Sequence, residues 1–83
     1  MKTRKLPHGN HNLIGKWVVI RRKELGMSQL ELLALLANEG LTMSISSLSQ
    51  LEGQKRLVSD IELFVLSKVL QVSVSYLFGI TQK

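Results

Sequence analysis

The chain has 83 residues, 45% of them hydrophobic, with a formal net charge of +5 and no cysteine. A chain of this length forms one domain with a small core, and the absence of cysteine excludes disulfides and thiolate metal sites. The apolar runs at residues 13–20 and 30–37 are much shorter than the ~20 residues that span a bilayer. We therefore expect a cytoplasmic protein without membrane contact.

Residues 1–12 have no apolar period and contain Pro7 and Gly9, which predicts a flexible basic N-terminal arm. Every charged residue before Glu24 is basic, namely Lys2, Arg4, Lys5, Lys16, Arg21, Arg22 and Lys23. Basicity at one end indicates a phosphate-binding edge. The alternatives are lysines that merely aid solubility and an ordinary frayed terminus.

The first helix is expected to run from about Asn12, as its cap, to Leu25, with Gly26 in the C′ position. Its predicted buried stripe consists of Ile14, Val18 and Leu25. Trp17 is either an extension of the core or part of a subunit contact.

The second helix is predicted at residues 29–38, after a Ser28-x-x-Glu31 capping box in which each side chain satisfies a backbone N–H of the other end. Its apolar template of i, i+3, i+4 and i+7 is matched by Leu30, Leu33, Ala34 and Ala37. Asn38 and Gly40 should end this helix.

The third helix is predicted from about Ser44, its cap, to Gly53. Leu48 and Leu51 are three residues apart and share one face, whereas short polar side chains project elsewhere, namely Ser46, Ser47, Ser49 and Gln50. A helix with one buried stripe and one polar face, followed at once by Lys55 and Arg56, suits the major groove of DNA.

A second capping box, Ser59-x-x-Glu62, predicts the start of a fourth helix that forms the centre of the core. Its apolar residues are Ile61, Leu63, Phe64, Val65, Leu66, Val69 and Leu70. A short fifth helix, capped by Ser73 and ended by Gly79, carries Val74, Leu77 and Phe78. The predicted fold is all-α, a compact bundle of five short helices over residues 13–79 with a tail at 80–83.

Taken in order, these segments resemble the phage repressor/Cro-type helix-turn-helix family. The matching residues are Arg22, Gly26-Met27-Ser28-Gln29, Ser44 and Leu48-Ser49-Gln50-Leu51-Glu52, followed by residues 58–63 and 72–77. The resemblance covers roughly residues 13–78 and implies a lambda-repressor-like domain of bacterial or phage type. It also implies that Gln29 contacts DNA and that Arg22 and Glu52 form an interior ion pair between helices 1 and 3.

The residues themselves suggest how DNA would be bound. Ser28 and Gln29 would present backbone N–H groups and an amide to a phosphate at the start of helix 2. The groove face would comprise Ser44, Ile45, Ser46, Ser47, Ser49 and Gln50, with glutamine suited to adenine and isoleucine to the thymine methyl group. Lys55 and Arg56 would neutralise flanking phosphates or serve the helix C-terminus. The alternatives are a solvated Gln29, a core-packed Ile45 and a plain polar face.

Other chemistry finds little support in the sequence. His8 and His11 lack a third ligand nearby, so no metal site is expected. No Ser–His–acid set and no Gly-rich phosphate loop can be assembled. We therefore expect no enzymatic activity, no cofactor and no small-molecule ligand.

The predicted function is a sequence-specific DNA-binding transcriptional regulator, acting as a repressor on double-stranded DNA with helix 3 in the major groove. A homodimer is expected, through helix 5 and the tail or through Trp17, because one small domain discriminates weakly by itself. The alternative is a protein-interaction module on the same scaffold, antirepressor- or antitoxin-like. Two features favour that alternative. Helix 3 has no arginine at the positions that would contact bases, and helix 1 is apolar on more than one side.

Overall fold

The computed structural model describes residues 11–81, and within that range the chain forms five α-helices and no strands. The helices are α1 Gly15–Glu24, α2 Gln29–Asn38, α3 Ile45–Glu52, α4 Asp60–Leu70 and α5 Val74–Leu77. The prediction of an all-α bundle of five short helices is confirmed. No helix in the described range combines the length and apolarity needed to cross a membrane.

Serine residues cap four of these helices. Ser28, Ser44, Ser59 and Ser73 each accept a hydrogen bond from the backbone N–H three residues later, at 3.0–3.1 Å. Both predicted capping boxes are present, because the carboxylates of Glu31 and Glu62 accept from the backbone N–H of Ser28 and Ser59. These caps satisfy N–H groups that a helix cannot satisfy internally.

The start of α1 differs from the prediction. The helix begins at Gly15, and Ile14 in its cap position makes no side-chain cap bond. Asn12 lies outside the helix, where its Oδ1 accepts from the Gly15 N–H at 2.8 Å. Its Nδ2 donates to the carbonyls of Leu51 and Arg56, at 3.2 and 2.8 Å. Asn12 therefore links the beginning of α1 to the end of α3. It was expected only to cap α1.

Along α1, Ile14 and Val18 are buried as predicted, but Leu25 is exposed and Arg22 is buried instead. The reason is the ion pair of Arg22, described below, which draws this side chain inward. At the end of α1, Gly26 takes the left-handed conformation expected of a C′ residue, with φ of +70°.

The α1–α3 crossing is close because Gly15 has no side chain. A Cβ atom at this position would overlap the carbonyl oxygen of Leu51 and lie 2.9 Å from that of Glu52. Both neighbours are backbone atoms that cannot rotate away. The crossing therefore requires glycine at residue 15.

The buried stripe of α2 was assigned to the wrong residues. Leu32 and Leu36 are buried, whereas Leu30 is exposed and Leu33 is only half-buried. Leucine occurs on almost every side of this helix, so periodicity alone did not determine the inward face. Packing against α3 and α4 determines it.

The predicted core residues of α4 and α5 are only partly confirmed. Val65, Leu66, Leu70 and Leu77 are buried, but Ile61 and Phe64 remain 65% and 64% exposed. These two residues lie on the side of α4 that no other helix in the described range covers. Trp17 packs against the core with its ring edge-to-face on Tyr76, at a centroid distance of 5.8 Å. Trp17 therefore extends the core, which is one of the two roles considered for it, and the residue is half-buried.

Candidate nucleic-acid interface

The connection between α2 and α3 is ordered by backbone hydrogen bonds. Gly40 has φ of +87°, its N–H donates to the Ala37 carbonyl at 2.9 Å, and the Leu41 N–H donates to the Leu36 carbonyl at 3.0 Å. This pair of bonds is a Schellman motif. Leu41 and Met43 then pack against the core. This ordered connection fixes where α3 begins.

The sequence of α3 divides the helix into two opposite sides. At about 100° per residue, Leu48 and Leu51 lie on one side, and both are fully buried. The four exposed residues fall within an arc of about 140° on the other side, namely Ile45, Ser46, Ser49 and Gln50. We call these four residues the groove face. Ser47 lies at its edge and is half-buried.

Ile45 is 46% exposed and does not belong to the buried core. Of the two roles considered for this residue, the structure therefore excludes full core packing. Ser44 precedes it, and its hydroxyl oxygen accepts a hydrogen bond from the Ser47 N–H at 3.0 Å. Its hydroxyl hydrogen is still available to a ligand.

The interior ion pair between Arg22 and Glu52 is present. Arg22 Nε donates to Glu52 Oε2 at 2.7 Å and Nη2 donates to Oε1 at 3.1 Å, which is the bidentate arrangement. The side chains are only 11% and 7% exposed. Arg22 Nη1 also donates to the Met27 carbonyl at 2.8 Å. One guanidinium therefore joins α1, the turn before α2 and the last residue of α3.

Gln29 is held against this ion pair. Its Nε2 donates to Glu52 Oε1 at 2.9 Å and to the Ser49 hydroxyl at 3.3 Å. Both amide hydrogens are thus directed at α3, so Gln29 links the first turn of α2 to the groove face. At the same helix end, hydrogen bonds from the Ser28 backbone and then its hydroxyl hold the pKa of Glu31 below its ordinary value. That carboxylate stays charged beside the N–H groups of the first turn.

The Helix-turn-helix family model matches residues 20–77, which is more than half of the chain. The chain belongs to the XRE-like helix-turn-helix family, as in phage repressors and Cro. This is a family of DNA-binding regulatory domains that are not typically enzymes. No curated protein matches the sequence closely.

In this helix-turn-helix domain Lys55 is exposed, whereas Arg56 has a different role from the one predicted. Arg56 Nε donates to the Ser47 carbonyl at 3.0 Å, and Nη2 donates to Glu62 Oε2 at 2.8 Å. Nη1 donates to Glu62 Oε1 at 3.1 Å and to the Leu57 carbonyl at 2.9 Å. The guanidinium that was expected to bind phosphate is therefore engaged by α3, α4 and the loop between them in this structure.

Glu62 was not predicted as a partner of Arg56. The capping-box pattern indicated that the Glu62 carboxylate lies at the start of α4. It did not indicate that Arg56, six residues earlier, is close enough to bond it. Burial would raise the pKa of Glu62, yet hydrogen bonds from Arg56 and the Ser59 backbone, together with the Arg56 charge, hold it below its ordinary value. The Glu62 carboxylate is therefore charged at neutral pH, where it faces the Arg56 guanidinium.

Residues 1–10 of the predicted basic arm, which include His8, lie outside the described residues. Within residues 11–81, no three side chains among histidine, cysteine, aspartate and glutamate group closely enough to hold a metal ion. The described chain starts beside α3, since the His11 N–H donates to the Gln54 carbonyl at 2.9 Å. Gln54 itself has φ of +61° and donates through Nε2 to the Asn12 carbonyl at 3.1 Å.

Proposed function

We propose that the protein is a sequence-specific DNA-binding transcriptional regulator that inserts α3 into the major groove. The observation that carries the proposal is the groove face: four exposed residues on one side of α3, with its two leucines buried on the other. A helix supported in this way can enter a groove without uncovering the core. Membership of a DNA-binding family supports the same conclusion.

The contacts follow from the side chains that the domain leaves accessible. Gln50 would bond adenine through its amide, Ile45 would touch a thymine methyl group, and Ser46 and Ser49 would bond either donors or acceptors. Ser44 would add its hydroxyl at the start of α3. Since the groove face contains no arginine for guanine, the preferred half-site should contain A·T pairs.

Phosphates would be bound at the edges of this surface. The first turn of α2, which begins at Gln29, presents backbone N–H groups that have no acceptor inside the helix. Ser28 would act beside them through its side chain, because its own N–H already donates to Glu31. Lys55, exposed just after α3, adds a positive charge. The basic arm is proposed to contribute further, because its net positive charge attracts phosphates regardless of sequence.

Two copies would be needed for useful specificity. Each wrong base pair costs only about 1–3 kcal/mol, so a single small groove face separates sites poorly. We propose a homodimer that reads two half-sites about one helical turn apart and represses by occupying its operator. The proposal predicts a palindromic site.

Selection of bound duplexes from a random pool tests this function, together with the solution mass of the protein and its DNA complex. We expect an enriched, palindromic, A·T-containing site bound by two copies. In a matched pair of variants, Gln50→Ala should weaken binding to that site, whereas Asn38→Ala should not. Asn38 is also an exposed amide, but it lies about 14 Å along α2 from Gln29. A pool without enrichment would refute the proposal.

One observation favours the alternative of a protein-binding module. Three apolar residues at or just before the start of α4 are 64–76% exposed, namely Leu57, Ile61 and Phe64. Apolar side chains grouped on a surface often mark an interaction site. The double variant Gln29→Ala/Gln50→Ala separates the two functions, since a regulator should lose its DNA site and a partner-binding module should keep its partner.

A further inference from the structure

Each N–H donor of Arg56 has an acceptor within the domain. A guanidinium carries five N–H donors. The five acceptors around Arg56 are the carbonyls of Ser47 and Leu57, the two carboxylate oxygens of Glu62, and Met43 Sδ at 3.7 Å. Binding a phosphate would require breaking contacts that hold the domain together.

These acceptors come from parts of the chain on both sides of the groove face. Met43 precedes α3, Ser47 lies in its first turns, Leu57 belongs to the following loop, and Glu62 lies in the first turn of α4. Ser47 is next to Ser46 of the groove face in sequence. The carbonyl of Arg56 itself is bonded by Asn12. Arg56 and Glu62 thus fasten the first turns of α3 and the loop that follows it to α4.

We infer that Arg56 and Glu62 are positioning residues that set how the groove face meets the bases, an inference that rests on the proposed function. Base contacts need correct direction as well as distance, whereas phosphate attraction depends mainly on charge. Loss of the pair should therefore reduce discrimination between the selected duplex and an unrelated one. It should leave the charge-driven part of binding intact.

Glu62→Gln gives a test in which charge and positioning predict opposite results. Removing one of the six acidic residues raises the formal net charge from +5 to +6, which by electrostatics alone would strengthen binding. Glutamine still completes the capping box but cannot hold Arg56 as a charged bidentate partner. We expect about tenfold weaker binding to the selected duplex, as for loss of a charged hydrogen bond, and no weakening on an unrelated duplex.

Glu39→Gln is the matched control. It makes the same change in net charge, and its carboxylate pairs with Lys68 at 2.8 Å on the surface between the end of α2 and α4. This variant should keep the ratio of specific to unrelated binding. Equal behaviour of Glu39→Gln and Glu62→Gln would overturn the inference.

Arg56→Lys supplies an independent test, because it keeps the charge but cannot span Ser47 and Glu62. We expect the same loss of discrimination and an unchanged dependence of affinity on salt. Lys55→Met should instead weaken both duplexes and reduce the slope of log affinity against log salt by about 0.9. If Arg56→Lys binds like the unmodified protein, the inference is wrong.

The measurement must separate positioning from loss of stability. Affinities are compared at low temperature, on variants whose circular dichroism shows full helix content, because a folded but less stable domain keeps its specificity ratio. Should Glu62→Gln not fold, Arg56→Lys decides the outcome. If the unmodified protein prefers no duplex, the proposed function is wrong. If it prefers one and the variants keep that preference, only the inference about Arg56 and Glu62 is wrong.

Discussion

Two arginine–glutamate pairs fasten α3 to different neighbours. Arg22 and Glu52 join the end of α3 to α1, whereas Arg56 and Glu62 join its first turns and the following loop to α4. Both are bidentate, with shortest distances of 2.7 and 2.8 Å. Helix α3 is therefore held by charged contacts on two sides, in addition to its two buried leucines.

The pairs differ in how deeply they are buried and in what else they hold. The Arg22–Glu52 side chains are nearly enclosed and share Gln29, so breaking this pair strands a charge in the interior. The Arg56–Glu62 side chains are somewhat more open to solvent and share a helix cap. We infer that the first pair mainly secures the fold, while the second mainly secures the orientation of α3.

Arg22→Met should have the largest effect on stability. It leaves the Glu52 carboxylate buried without its cation, at a cost of about 3–5 kcal/mol in the free energy of unfolding. Urea denaturation followed by circular dichroism measures this loss. The exposed neighbour Lys23→Met is the control for the change in charge and should be nearly neutral.

Adding Glu52→Gln to Arg22→Met should recover part of the lost stability, because it removes the stranded charge. A double variant that is less stable than Arg22→Met by the full cost of a second deletion would contradict this account of the pair.

Gly15→Ala tests whether the α1–α3 crossing, which Arg22 and Glu52 join, also depends on close approach of the two backbones. Helix propensity alone would make alanine stabilising, but the added Cβ meets the carbonyls of Leu51 and Glu52. We expect the free energy of unfolding to fall by about 2 kcal/mol, as for overpacking elsewhere. A rise in the midpoint of thermal unfolding would mean that the crossing can relax, and that the ion pair alone sets its spacing.

The two pairs also show what sequence reasoning can reach. Arg22 and Glu52 could be expected because both occupy matching positions in a recognisable family pattern. Arg56 could not be assigned, because a basic residue after α3 fits a phosphate contact as well as an internal ion pair. The two roles are distinguished only by the position of Glu62, six residues later. The capping box with Ser59 holds this carboxylate at the start of α4, where Arg56 reaches it.

Helix positions were predictable where short-range chemistry determines them. Serine caps and the left-handed Gly26 and Gly40 act within a few residues, so their signals are present in the local sequence. The inward face of α2 was not predictable, because leucines surround the helix and only its contacts with α3 and α4 distinguish Leu32 from Leu30. The serine and glutamine part of the exposed side of α3 was predictable because the two leucines mark the opposite side, whereas Ile45 could have packed in the core.

The pH dependence of Glu62→Gln sharpens the description of the second pair. The folded pKa of Glu62 is below its ordinary value of 4.5, so its charged form stabilises the fold above that pH, and the contribution disappears as pH falls through the folded pKa. The unmodified protein should exceed Glu62→Gln in stability by about 1–2 kcal/mol near neutral pH. Urea denaturation of both proteins between about pH 7 and about pH 3 should show this difference shrinking. A constant difference would mean that the Glu62 charge is not the cause.

The surface pair Lys68–Glu39 provides the baseline against which both pairs can be judged. Its side chains are 61% and 35% exposed, so water screens the attraction, and holding the two side chains together costs conformational entropy. Lys68→Met should change the free energy of unfolding by at most about 1 kcal/mol, and added salt should erase even that difference. Thermal unfolding at low and high ionic strength measures both quantities. A cost close to that of Arg22→Met would mean that burial does not distinguish the pairs, and the division between a pair for the fold and a pair for orientation would have to be abandoned.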